Sequence, residues 1–433
     1  MTPKLMTPRE MLEGSFRAAL AAVDPLRILP AHLPTPPKAG RTVVVGAGKA
    51  AASMALALEQ HWPASAPLEG LVITRHRHGL LTNRIKVVES GHPVPEEAGA
   101  AAAREILRLA RSLSKDDLLV ALVSGGGSAL MTLPAEGLGM DDLRRLTSLL
   151  LASGAPIEDM NVVRKHLSAV SGGRLAAACK ARVCALILSD VTGDEPADIA
   201  SGPCAPDPST FQDALGVLRR YRIDPPPAVR QHLEKGARRE IAETPKPADK
   251  LFERVTNTVM AGSRQALAGA AAFFHAQGVT PVILGDDITG EASEAAKVYA
   301  AIARQVGQTG TPWKKPVALL SGGECTVTLA AGQGKTARGG RCAEFLLSLG
   351  VSLGSLPDVW ALACDTDGID GTEENAGAML TPDMISRARS RGLEPKDKLA
   401  EHDSWGVFDA LGDLVVTGPT RTNVNDYRAI LIV

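Results

Sequence analysis

Six short, apolar, β-branched runs in this chain each stop abruptly at a cluster of glycine and polar residues. That pattern restricts the fold more than any other feature. Residues 42–45 run into Gly46-Ala47-Gly48-Lys49, and 118–123 into Ser124-Gly125-Gly126-Gly127-Ser128. Residues 183–188 precede Ser189-Asp190-Val191-Thr192-Gly193-Asp194, and 279–284 precede Gly285-Asp286-Asp287. Residues 317–320 lead to Ser321-Gly322-Gly323-Glu324, and 359–363 to Cys364-Asp365-Thr366-Asp367-Gly368-Ile369-Asp370-Gly371. Further strands are expected near 71–73 and at 429–433. Strands that are apolar at successive positions are buried on both faces, as in a parallel sheet covered by helices. Helical stretches rich in Ala and Leu fall between them: 98–113, 265–277 with Gly278 as a C-terminal stop, and 291–306. Open parallel sheets bind ligands beyond the carboxyl ends of their strands. The six clusters therefore predict one composite site, in a cleft between two domains.

A chain of 433 residues has room for two or three domains. Proline-rich stretches at 33–37 and within 225–250 mark breaks, and the second places a boundary near 245. Whether the C-terminal strand returns to the first domain is left open. Lys and Arg number 47 against 48 Asp and Glu, so no global basic field draws nucleic acid or an anionic membrane. An anionic substrate must then be held by locally placed cations. Aromatic residues are 3%, too few for a surface that stacks single strands. No apolar run approaches the roughly 18 residues of a membrane span, and the first residues contain no apolar signal core. The six cysteines form no C-x-x-C and no zinc spacing. These features point to a reduced, cytoplasmic protein.

Several clusters suit anion chemistry. The glycines of Ser124 to Ser128 let backbone N–H groups turn toward a phosphate or carboxylate, and a helix N-terminus following them adds a favourable dipole. Walker A is not matched there. Gly334-Lys335-Thr336 resembles its tail, but Leu329 stands where that pattern needs Gly. Gly46-x-Gly48-x-x-Ala51 fits a loose dinucleotide fingerprint, without the ribose-binding acid about 20 residues on. Arg75 is a cation able to meet a 2′-phosphate, which keeps NADPH open. On the other reading, Lys49 aims an ammonium at a phosphoryl group. Asp190 with Asp194, and Asp365 with Asp367 and Asp370, offer hard oxygen ligands for Mg²⁺, a general base, or simple Asx turns. Arg164, in Asn161-x-x-Arg164-Lys165-His166, can hold a carboxylate bidentately, and Arg341 can sit beside transferring charge. The run from Thr417 to Asp426 lines the same cleft or caps the last strand. No histidine has a nucleophile or metal partner in sequence, and His76, His78 and His92 read as structural or solvated.

Taken in order, these pieces resemble the class II glycerate 2-kinase family, whose C-terminal part is the MOFRL domain. The resemblance rests on Gly46 to Ala50, Ser124 to Leu130, Asn161 to Ser168, Ser189 to Asp194, Ser201-Gly202-Pro203, Ser321 to Glu324, Gly339-Gly340-Arg341, Asp365 to Gly371 and Thr420 to Asp426. It implies two α/β domains: a Rossmann-like three-layer parallel sheet over 1–245 and a mixed-sheet MOFRL-type domain over 246–433, with the active site between them. It also implies Mg²⁺- and ATP-dependent phosphorylation of D-glycerate to 2-phosphoglycerate. Lys49 would stabilise the transferring phosphoryl group. Asp190 and Asp194 would bind metal or activate the 2-hydroxyl, with Asp367 in the metal or substrate shell, and Arg341 would neutralise anionic charge. Substrate and nucleotide contacts are expected from Gly46, Gly48, Ser124, Gly125, Gly126, Gly127, Ser128, Asn161, Arg164, Ser321, Gly322, Gly323, Glu324, Thr422 and Asn423. Partners are then small molecules, and a homodimer is allowed. One departure is local: the family continues Gly-Gly-Arg with Asn-Gln-Glu, whereas this chain has Cys342-Ala343-Glu344. Members also carry hydroxypyruvate reductase names, which keeps an NAD(P)H-dependent reductase as the alternative. A non-catalytic metabolite-binding protein is the second alternative.

Overall fold

A computed structural model describes residues 6–329, 337–354 and 356–433. The Gly334-Lys335-Thr336 segment lies outside the described residues. The chain forms two compact units, one of residues 25–260 and one that joins residues 1–24 to 261–433. The limits read from sequence differ from these at 1–24 and 246–260.

The first unit is built on β1 (Thr42–Ala47), β2 (Leu68–Arg75), β3 (Ile85–Ser90), β4 (Leu118–Val123), β5 (Arg182–Leu188) and β6 (Val255–Ala261). Their order is β3-β2-β1-β4-β5-β6, and β3, β2, β1, β4 and β5 run parallel. Val43, Val44 and Val45 are all fully buried, so both faces are covered, as the unbroken apolar runs predict. Val43, Val45 and Leu119 share a core with Ala103 and Ile106 of the helix Glu97–Arg111. The helices Met140–Ala152, Ile157–His166, Phe211–Arg220 and Pro227–Ala237 close a further apolar cluster around Leu150, Val163, Phe211 and Leu233.

The second unit holds β7 (Thr280–Gly285), β8 (Gly290–Glu291), β9 (Val317–Ser321), β10 (Cys325–Thr326), β11 (Val359–Asp365), β12 (Gly377–Leu380), β13 (Leu414–Val415) and β14 (Asp426–Ile432). Its six-stranded sheet, β13-β12-β11-β14-β9-β7, is mixed, because β7 and β9 are parallel and the other pairs antiparallel. The last strand therefore sits inside this sheet. Phe345 and Leu349 of the helix Arg341–Leu353 pack with Leu319, Ala361 and Ile430. The N-terminal helix Pro8–Ala22 belongs here too. Phe16 stacks on Tyr427, whose hydroxyl donates to Ser15 Oγ at 2.8 Å. Among the described residues, no helix is long and apolar enough to cross a membrane. All six cysteines are free.

Candidate active site

In the first unit, parallel register sets Ala47 opposite both Ile73 and Val123, and Val123 opposite Ile187. The clusters after β1, β4 and β5 therefore leave one sheet edge side by side. Gly46 and Gly48 are glycine because β4 passes so close. A Cβ on Gly46 would stand 1.9 Å from the Leu122 carbonyl oxygen, and one on Gly48 2.0 Å from Ser124 Oγ. The two loops are tied together: Lys49 N–H donates to the Gly125 carbonyl at 2.8 Å, and Ala50 N–H to Ser124 Oγ at 3.1 Å. Gly126 takes a left-handed φ of +80° and leads into the helix Gly127–Leu130. That helix is a single turn, so the macrodipole expected from sequence is too short to matter.

Ser128 Oγ bonds Ser201 Oγ at 2.8 Å, Ser201 Oγ reaches Asn161 Oδ1 at 3.3 Å, and Asn161 Nδ2 donates to the Asp198 carbonyl at 3.5 Å. This chain of polar contacts anchors the glycine loop to the helix Ile157–His166. Ala200 and Ser201 are both held at left-handed φ, +51° and +58°. Non-glycine residues in that region are strained, and such strain is concentrated at functional sites. Arg164 lies one helical turn beyond Asn161, on the same face. Burial lowers its pKa, and no carboxylate among the described residues offsets the effect. Arg174 differs: burial lowers its pKa as well, but Asp207 and Glu243 push back. Asp190 and Asp194 bracket the turn after β5, which is closed by Asp194 N–H donating to the Val191 carbonyl at 3.1 Å, with Asp194 at φ +55°.

In the second unit, Asp365 faces Asp426 and Ser321 faces Arg428 across the strands, while Gly285 pairs with Ser321. The polar segments after β7, β9 and β11 and before β14 again share one edge. Arg341 is the hub there. Its Nε donates to Asp426 Oδ1 at 2.8 Å and its Nη2 to Asp365 Oδ2 at 2.7 Å, and Nη1 lies 3.5 Å from Glu324 Oε1. Burial works against its charge, but Asp426, Asp365 and Glu324 outweigh burial and hold the guanidinium protonated. Arg428, also buried, donates to Asp426 Oδ2 at 2.5 Å and to the Gly322 carbonyl at 3.0 Å. Gly323 accepts from Asp426 N–H at 3.2 Å.

The remaining residues expected at the site hold loops together. Asp367 Oδ1 accepts from Ile369 N–H at 2.8 Å, an Asx turn. Thr422 Oγ1 donates to the Val23 carbonyl at 2.9 Å, and Asn423 Oδ1 accepts from Asn425 N–H at 3.4 Å. Asp370 accepts from Cys342 N–H at 3.0 Å and Ala343 N–H at 2.8 Å, capping the helix Arg341–Leu353. That cap uses backbone groups, so Cys342-Ala343 in place of an amide pair leaves it intact. Glu344 bonds His402 Nδ1 at 2.9 Å. No group of three or more His, Cys, Asp or Glu side chains among the described residues is placed to hold a metal ion.

Two groups escaped the sequence reading. Arg428 sits inside a strand without any flanking signal. His92 follows β3, a strand that the sequence reading did not predict, and its ring lies against Gly126. With residues 85–90 read as a strand, Gly91-His92-Pro93 becomes a seventh cluster at a strand end.

A family model described as a domain of unknown function, DUF4147, matches residues 11–234, and the MOFRL family model matches residues 317–426. A chain of Agrobacterium vitis provisionally named a hydroxypyruvate reductase is 47% identical over 433 residues, covering 100% of this chain and 96% of its own. The D-glycerate 2-kinase of Thermotoga maritima is 37% identical over 420 residues, covering 96% of each chain. The crystal structure of glycerate kinase from Thermotoga maritima superposes with a TM-score of 0.84 at 35% identity, over 98% of this chain and 99% of that one. The glycerate 2-kinase of Pyrococcus horikoshii is 38% identical over 388 residues, covering 89% of this chain and 86% of its own. On matches of this length and identity, the chain belongs to the class II glycerate 2-kinase family, whose C-terminal part is the MOFRL domain.

Proposed function

We infer that this chain is a glycerate 2-kinase that moves the γ-phosphoryl group of ATP to the 2-hydroxyl of D-glycerate. The observation that carries the reading is Arg164, a half-buried guanidinium one helical turn beyond Asn161 that meets no carboxylate among the described residues. A guanidinium placed so is suited to receive an anion. Glycerate offers a carboxylate of matching planar geometry, and Asn161 on the same helix face ties that receptor to Ser201 and the glycine loop.

Phosphoryl transfer requires positioning and charge neutralisation more than covalent help. The 2-hydroxyl oxygen bonds to the γ-phosphorus while the bond to the β–γ bridging oxygen breaks, ADP leaves, and the hydroxyl proton passes to a carboxylate. Lys49, fixed by its backbone bond to Gly125, supplies positive charge to the moving group. Asp190 and Asp194 share one turn at a strand end. Mg²⁺ accepts such a set, one or two carboxylates completed by phosphate oxygens, and when bound it neutralises phosphate charge. Arg341, already met by three acids, acts by fixing the Glu324, Asp365 and Asp426 loops.

The reductase reading leans on Gly46-x-Gly48, yet these glycines are required by the approach of β4, whatever is bound. Purified protein given ATP, magnesium salt and D-glycerate is expected to release ADP only when glycerate is present. Lys49→Ala is expected to lower that rate at least about 10³-fold with unchanged thermal unfolding. Oxidation of NADH or NADPH on adding hydroxypyruvate, without glycerate-dependent ADP release, would overturn the kinase reading.

A further inference from the structure

We propose that the imidazole of His92 donates a hydrogen bond from Nε2 to an oxygen of the anion that Lys49 neutralises, making it a further catalytic residue. This deepens the kinase reading and rests on it.

His92 lies just beyond the end of β3, where Ser90 is opposite Arg75 at the end of β2. The Cβ position of Gly126 is 3.0 Å from both His92 Cδ2 and Nε2, and 3.4 Å from Lys49 Cγ. The ring edge and the lysine stem thus flank the same glycine, at the turn where the loop after β4 enters its short helix. A side chain at position 126 would fill the gap between them. Among the described residues no hydrogen bond or carboxylate stabilises the ring. Burial first, and then the charges of Lys49, Arg75 and His78, push its pKa down to about 3.

These facts set the half-buried His92 apart from two ordinary roles. A structural histidine buried against a loop keeps a backbone or carboxylate partner. His166 does so, with Nδ1 at 2.7 Å from the Val162 carbonyl, and so does His232, with Nε2 at 3.1 Å from the carbonyl of His166. A general base that cycles near neutrality needs a pKa near 7. His92 remains neutral, so one ring nitrogen carries a proton and the other a lone pair. Lys49, Arg75 and His78 all bring positive charge to bear on the ring. A neutral donor there adds a directed hydrogen bond without more charge to desolvate. Such a bond strengthens as charge builds on phosphoryl oxygens during transfer.

The test compares His92→Phe, which keeps the ring volume and removes the donor, with His92→Gln, whose amide N–H reaches a similar distance. Thermal unfolding of all three proteins checks the fold. His92→Phe is expected to lose about 10²-fold in kcat for D-glycerate phosphorylation, and His92→Gln to recover most of it. Calorimetric titration with inorganic pyrophosphate reads the anion contact without turnover. Its Kd is expected to weaken about 10-fold in His92→Phe and to return in His92→Gln. Kinetics and pyrophosphate affinity within twofold of the unaltered protein in a folded His92→Phe overturn the proposal, as does His92→Gln being as impaired as His92→Phe. An unaltered protein that does not phosphorylate glycerate overturns the kinase reading instead, and the pyrophosphate titration then decides on His92 alone.

Discussion

Partly burying a guanidinium without a counter-charge is unfavourable, and burial lowers the pKa of Arg164 accordingly. Arg164→Met removes the desolvated charge but keeps an apolar stem. The melting temperature is expected to stay level or rise. KM for D-glycerate is expected to rise about 10- to 100-fold, the worth of a charge-assisted pair of hydrogen bonds. Parallel melting curves and initial-rate kinetics check both, and an unchanged KM would remove Arg164 from the carboxylate site. Arg164 was legible because Asn161-x-x-Arg164 fits one helix face. The surroundings of Arg341 were not, because two of its three acids lie 24 and 85 positions away and only strand pairing brings them in. The contact of Thr422 is equally silent. Nothing local announces that its hydroxyl will meet the carbonyl of Val23, 399 positions earlier.

Strands buried on both faces write themselves into sequence as unbroken apolar runs, and β1, β4, β5 and β9 were read that way. The edge strands β3 and β6 do not. β3 is buried only at its two ends, and β6 is only partly buried until its end, so neither forms an unbroken apolar run. Losing β3 also hid His92. Helix capping across distant loops is equally silent, and Asp370 illustrates it. Its acidic cluster suggested metal or turn chemistry, whereas the carboxylate caps the helix Arg341–Leu353. Burial lifts its pKa to about 7, against the pull of the Cys342 and Ala343 N–H groups and of Arg341. The folded chain thus keeps a proton between about pH 4 and pH 7 that the unfolded chain has released. The contribution of this group is greatest below about pH 4 and falls as pH rises through 7, by up to about 4 kcal/mol. Asp370→Asn is expected to abolish that part of the slope. Urea unfolding of both proteins at pH 5 and pH 8 measures it, and parallel losses in the two would contradict it.

At the scale of the molecule, the six clusters divide evenly, three at one edge of each sheet. Both units follow the rule that chemistry gathers at strand ends. The first collects cations and a glycine loop, and the second an arginine–carboxylate network. Residues 6–24 fold with the C-terminal unit, through Phe16 on Tyr427, a partnership that no local periodicity encodes. The kinase reading turns on which oxygen receives the phosphoryl group. Phosphorus NMR of the products formed from ATP, magnesium salt and D-glycerate tests it most directly. The account predicts one new monoester resonance, matching authentic 2-phosphoglycerate and growing in step with ADP. A resonance matching 3-phosphoglycerate, or no monoester at all, would contradict it.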